Sequence, residues 1–562
     1  MRQNSTPPRD VERELARLDQ KLLDLLEERA AILAAMRAGK KGRAAMEQHL
    51  EQRLWQAWEE RAGRAMGDKS RWRTLFTLIQ DLPAARQPEP GESSAGFQLY
   101  PKPLACKATV LAPAGVWESQ CWAALAVQCS RRAQLRGVAF NAALAFLVKA
   151  LNHAGATIRW NNDTLASDGG QIKLDGKALF VGDDALGCYF LLFLALGQHI
   201  RLRITGDTGL KLLDLSPVGR FLQAFQARLT PVVPGSKGLP ARLESAGLPP
   251  AAIQLPGDLP AETLLALAMA SPSYEDGLAI TWKDNKFEAV ASRAAAMLTM
   301  FVPGTVHAPG SLVIPRAEPT LPPVASLPMD PLLATTLLAM PRCHPAGGDM
   351  ALAGAFPAQV SPWKEGLELL QAAGARPEID SDTIRVAVPG SRPEHHGPII
   401  MGTMADPAYF PLSFALAASR VLQDARQDAS VPVQLSLPAT DLDRQACEEL
   451  AARLGLRLEQ DETALRLTGR MAEAGAITPW LAPTAAWGLA YACLSMARPG
   501  LALANPGGVT ELLPRFWNLY NTLPEPPRDV LLVAPAPMDE ENADDGRRRK
   551  RRIKLRGDIT PS

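Results

Sequence analysis

The chain reads as an α/β protein of two lobes preceded by a small all-α module. Strand-like runs alternate with helical patterns through most of its length, one short unit recurs along it, and a Pro-rich passage divides the series. The strand-like runs are ATVLA, ALFVG, IRLRITG, GLAITW, IRVAVPG and LALANPG. The recurring unit is a helix, a Gly or small-residue break, then a strand. It is plain in LVKALNHAGATIRW, GLELLQAAGARPEI and CEELAARLGLRLEQ, and weaker in FLQAFQARLTPVV and AAAMLTMFVPGTV. The passage from Pro303 to Pro331 interrupts the series, which places a lobe boundary near 303–331.

Ahead of this body, Leu15, Leu18, Leu22, Leu25, Leu26, Ile32 and Leu33 recur at three- and four-residue steps between Val11 and about Met36, the signature of an amphipathic helix. A second helical pattern runs from about Ala44 to Ala65. A third runs from Arg71 to Leu82 and is stopped by Pro83, with Gly63, Gly67 and Asp68 marking the break between them. Three such helices bury little surface alone, so they are expected to pair with a second copy, giving a homodimer, or with the body. The stretch ARQPEPGESSAG has linker composition. The expected organisation is therefore a helical domain over 1–87, a linker over 88–96, the α/β body over 97–530 and a charged tail over 531–562. That tail is acidic (DEENADD) and then basic (GRRRKRRIKLRG) with almost no apolar residues, the composition of a disordered, solvated segment.

Charge and composition exclude several functional classes. The 562 residues carry 60 Lys plus Arg against 59 Asp plus Glu, so no overall field steers the protein toward nucleic acid or a membrane surface. Any anionic ligand must be caught locally. The seven cysteines are scattered, with no C-x-x-C pair and no His/Cys spacing suited to zinc, so neither a metal nor a cofactor is expected. The opening residues MRQNSTPPRD are polar, and the longest apolar run, around Cys188 to Gly197, is far short of the roughly 20 residues of a membrane span. The cytoplasm is the expected location.

The first helix, LARLDQKLLDLLEERAAILAAMRAGK, resembles the opening helix of the all-helical chorismate mutases, and the likeness extends over roughly residues 8–87. That family holds a dicarboxylate with arginines and stabilises charge on a breaking ether oxygen. The resemblance implies substrate-binding roles for Arg29, Lys40 and Gln87. It departs at Glu12, where an arginine is expected, at His49 and Gln52 in the second helix, and at Pro83.

The body resembles EPSP synthase, the 3-phosphoshikimate 1-carboxyvinyltransferase family. Four passages carry the likeness: NAALAFLVKALNHAGATI, TGDTGLKLLDLSPVGRFL, IQLPGDLPAETLLALAMASP and LANPGGVTELLPRFWNLY. The resemblance implies two lobes of six repeated α/β units, of the inside-out barrel type. Shikimate 3-phosphate and phosphoenolpyruvate would be held by Lys and Arg side chains in the cleft between them.

Most of those cations are replaced here. Val116 and Trp117 stand where the Pro-Gly-x-Lys-Ser loop has Lys and Ser, and Cys121 takes an arginine position. Gly182, Asp183, Asp184, Ala185 and Leu186 replace Gly-Asn-Ala-Gly-Thr, and Tyr189 replaces an arginine. Ser216-Pro217 stands for Arg-Pro, and Pro260, Ala261 and Glu262 for Ser-Ser-Gln. In the second lobe Trp363 lies near the position of the base Asp, Ala485 and Ala486 replace a His-Arg pair, and Glu511 a lysine. The stretch Thr440, Asp441, Leu442, Asp443, Arg444 keeps part of a Lys-Glu-x-Asp-Arg motif, which nominates Arg444, with Asp443 and Asp441, for substrate binding; the alternative is that Arg444 braces a helix start. Two readings stay open: a shikimate-pathway transferase with possible mutase activity, its anionic substrates being shikimate 3-phosphate, phosphoenolpyruvate and chorismate, or a catalytically inactive regulator or scaffold of aromatic amino-acid biosynthesis.

Overall fold

The computed structural model describes residues 96–523 apart from 140, 162, 171, 381, 391–398, 402–405, 426–431, 439, 463 and 470–477, and before them only residues 14, 17–26, 28–29, 32, 53–54, 56–58 and 76. In the body, every break foreseen in the repeating unit is a residue in the left-handed region. These are Gly155 (φ 105°), Gln226 (φ 52°), Gly304 (φ 89°), Gly374 (φ 82°) and Gly455 (φ 70°). A left-handed residue just past a helix lets the last carbonyls be satisfied while the chain turns back. The helix Asp441–Leu454 thus ends at Gly455, whose N–H bonds back to Ala451 and Ala452, and the strand Leu456–Gln460 follows at once. The pairs Ala142–His153 with Ile158–Asn161 and Trp363–Ala372 with Pro377–Asp380 repeat the arrangement.

Among the described residues these units build five four-stranded sheets of one topology. An outer strand runs parallel to a central one, and the other central strand pairs antiparallel with it and with the remaining edge. Thus Ala178–Phe180 lies parallel to His199–Thr205, which pairs antiparallel with Ala241–Ala246, itself the hairpin partner of Ala227–Pro231. Ile200, Leu202 and Ile204 point inward and Arg201 and Arg203 outward, the period-2 pattern of a sheet with one face on a core. A two-stranded sixth sheet pairs Phe97–Leu99 with Leu501–Leu503.

Two separate cores result. One gathers residues from Ala114 to Leu327, the other Leu99 to Ala112 together with Met329 to Leu523. The chain therefore crosses between lobes twice, and composition marks only the later crossing. Strand Cys106–Leu111 belongs to the second lobe and lies parallel to Gly348–Ala353, with the whole first lobe inserted between them. The approach is close: a Cβ on Gly348 would fall 2.1 Å from the Cys106 carbonyl oxygen, so only glycine fits.

Ahead of the body the described residues 17–26 are helical, and Trp58 meets Phe76 edge to face at 5.4 Å, each lying where a helix was expected. Lys40, Gln87 and the 531–562 tail lie outside the described residues. No helix among the described residues is long and apolar enough to cross a membrane.

Candidate functional site

Many of the singled-out positions of the body fall at helix beginnings, whereas Cys121, Tyr189 and Glu511 lie further along their helices. Val116 and Trp117 open the helix Val116–Ala126, Ser216 and Pro217 open Ser216–Leu222, Glu262 opens Glu262–Ala270, Trp363 opens Trp363–Ala372, and Ala485 and Ala486 open Ala485–Ala497. Helix starts expose N–H groups and the positive end of the dipole, and so are natural anion sites. Of these five only Ala485–Ala497 is capped by a side chain, Trp487 N–H donating to the Thr484 hydroxyl at 3.3 Å; the other four starts carry no side-chain cap. Two further helices are capped from within the chain: Gly187 N–H donates to Asp184 at 2.9 Å at the start of Ala185–Ala195, and Asp443 N–H to the Thr440 hydroxyl at 3.1 Å at the start of Asp441–Leu454.

Where the lobes meet, the structure assembles a cluster built around a residue that motif reasoning passed over. Arg293, in the helix Lys286–Phe301, donates from Nε and Nη2 to the two carboxylate oxygens of Glu118 at 2.5 and 2.8 Å. Both side chains are buried, Glu118 at 1% exposure. The guanidinium lies 4.5 Å from the Trp117 ring centre and 5.5 Å from that of Trp363, so two indoles flank it as well as a carboxylate. Trp363 is itself fixed by an indole N–H bond of 2.8 Å to the Met329 carbonyl. Burial works against the charge on Arg293, yet the Glu118 carboxylate outweighs it and holds the guanidinium more firmly protonated than usual.

Two further carboxyls lie close enough to act on this cation electrostatically. Asp330 caps the helix Pro331–Cys343 through Leu333 N–H at 3.0 Å, and Asp406 accepts from Ala408 N–H at 2.9 Å. Desolvation pushes both carboxyls above their ordinary value, opposed in each case by helix-cap hydrogen bonds and by Arg293. Glu365 takes the Asp406 N–H at 2.8 Å and the Ser361 hydroxyl, and the Tyr409 hydroxyl donates to the Pro362 carbonyl at 3.0 Å. One cation is thus paired with Glu118 and felt electrostatically by Asp330 and Asp406, with Glu365 beside Asp406, so its charge is already answered from within the chain.

A raised carboxyl stabilises the fold fully below its unfolded value, 3.8 for Asp406, and loses that contribution as pH rises through its folded value. Asp406→Asn, which keeps an acceptor for Ala408, is therefore expected to gain stability over the unmodified protein progressively from that pH toward neutrality. Urea unfolding across a pH series checks it.

In the first lobe, Gln120 Nε2 donates to Asp184 at 2.5 Å, and Leu210 N–H to Asp183 at 2.8 Å. Burial raises the Asp184 carboxyl. Tyr189 is buried, and burial raises its phenol above the usual range. In the second lobe, Arg444 pairs with Asp441 of its own helix, while Asp443 accepts from the Trp487 indole N–H at 2.9 Å. Arg444 also borders a groove of about 370 Å³ shared with Cys447, Glu448, Leu456 and Leu458. Arg29 lies on the first helix, where burial lowers its guanidinium. No metal-ligating cluster occurs among the described residues. All seven thiols are buried, and burial raises those of Cys106 and Cys188 to about 12, so these two are poor nucleophiles.

Arg293 left one sequence signal: it is the single charge in the apolar run AVASRAAAMLTMF. Glu118 sits within the passage APAGVWESQC, in the first turn of the helix Val116–Ala126, but no local pattern joins it to a partner 175 residues away.

No protein-family model matches the chain, and no curated protein sequence does. Solved structures do. Two structures of EPSP synthase from Acinetobacter baumannii superpose with TM-scores of 0.60 and 0.61 at 16% and 17% identity, covering 76% of this chain and 97% of theirs. The enolpyruvyl transferase NikO from Streptomyces tendae superposes with a TM-score of 0.54 at 14% identity, covering 74% of this chain and 94% of its own. The body has the two-lobed α/β fold of these enolpyruvyl transferases.

Proposed function

We propose that the body is a non-catalytic derivative of the EPSP synthase fold that regulates or scaffolds aromatic amino-acid biosynthesis. The observation that carries this reading is the occupied pairing of Arg293: the cation buried where the lobes meet is committed to Glu118 and enclosed by Trp117 and Trp363. A phosphate or carboxylate drawing Arg293 away would leave Glu118 buried and uncompensated, at a cost of about 3–5 kcal/mol. A charge-assisted contact returns only about 1.5–3 kcal/mol.

A second reading, a transferase with rearranged ligands acting on shikimate 3-phosphate and phosphoenolpyruvate, is favoured by the nearly complete coverage of the EPSP synthase chains and by the retained Asp443 and Arg444. In that case the helical module would hold chorismate through Arg29, Lys40 and Gln87. Assays of carboxyvinyl transfer and of chorismate rearrangement on the purified full chain separate the two. No turnover above the uncatalysed rate is expected, and turnover of either substrate set would overturn the non-catalytic reading.

A further inference from the structure

We propose that Arg293 is a latch between the lobes: a cation of the first lobe held by Glu118 and Trp117 of that lobe and capped by Trp363 of the second, so that the chain itself sets the inter-lobe geometry. Three observations carry this. The cation bridges the two cores, since Arg293 and Glu118 belong to helices of the first lobe and Trp363 packs in the second. Both ends are rigidly held, by the two-point Glu118 pair on one side and by the indole bond from Trp363 to Met329 on the other. Met329 itself lies at the crossing, where it pairs with Ala114 of the other crossing strand, so the latch closes directly on the hinge.

The second lobe adds attraction of its own. The Asp330 and Asp406 carboxyls both reach Arg293 electrostatically, and Asp330 begins the first helix after the crossing. Opening the lobes would strip one indole face from a guanidinium and separate it from the Asp406 carboxyl. The latch is independent of whether the body turns substrate over, because it rests on contacts within the chain.

Inter-lobe distance tests it directly. Spin labels on Arg228→Cys and Glu378→Cys, exposed positions of the first and second lobes, report that distance in the full chain, the native thiols being buried. The parent protein is expected to give one narrow distribution. Arg293→Ala is expected to shift it to longer, broader distances, and dilute guanidinium chloride, but not sodium chloride, should restore the narrow one by refilling the space between the indoles. If Arg293→Ala fails to fold, Glu118→Ala with Arg293→Ala removes both charges and should show the same lengthening. A distribution unchanged in these variants, or a parent protein already populating a long-distance state, would overturn the latch, and neither outcome depends on a measurement of turnover.

Discussion

Arg293→Met is expected to destabilise the fold by about 3–5 kcal/mol, because it leaves the Glu118 carboxylate buried without its partner. Glu118→Leu combined with Arg293→Met should recover most of that loss. With both charges gone, an apolar pair between Trp117 and Trp363 packs in place of a desolvated ion pair, a replacement that is often neutral or stabilising. The signature is therefore strong coupling between residues 175 apart in sequence, read from urea midpoints of the two single variants and the double. Additive losses would mean that the two side chains act separately.

Trp487→Ala carries a comparable expected loss, about 3–5 kcal/mol, by a different route. The indole is fully buried, meets Phe410, Phe414 and Trp480 edge to face at 6.3, 5.7 and 6.1 Å, and donates to Asp443. Its removal leaves a cavity among rigid aromatics that cannot collapse to fill it. It also frees the Asp443 carboxylate within the one motif that keeps part of a substrate-binding pattern. A lower urea midpoint at unchanged slope is the expected reading. A loss below about 1 kcal/mol would show that the aromatic cluster relaxes around the gap.

The fold was legible because it is written locally. A helix, a left-handed break and a strand need only neighbouring residues, so Gly155, Gly374 and Gly455 announced the units, and even the weaker pattern at Gln226 adopted the same turn. The insertion of one lobe within the other was not legible: Cys106–Leu111 finds its partner Gly348–Ala353 across more than two hundred residues, and no composition change marks the first crossing. The candidate site divides in the same way. Trp117 and Trp363 were singled out as replacements for expected residues, and the structure brings them to one guanidinium. Arg293, which unites them, sits in an apolar helix with no motif around it, and its role exists only once three distant helices converge. Arg444 was nominated from a partial motif. Its guanidinium meets Asp441 of the same helix, as a helix-start brace would.

Calorimetric titration of the purified full chain with shikimate 3-phosphate, alone and with phosphoenolpyruvate present, tests most directly whether the space between the lobes is already neutralised from within. No saturable heat is the expected result, since the buried cation there is already bound to Glu118 and enclosed by two indoles. Saturable one-to-one binding in the micromolar range, lost in Arg293→Met, would contradict it.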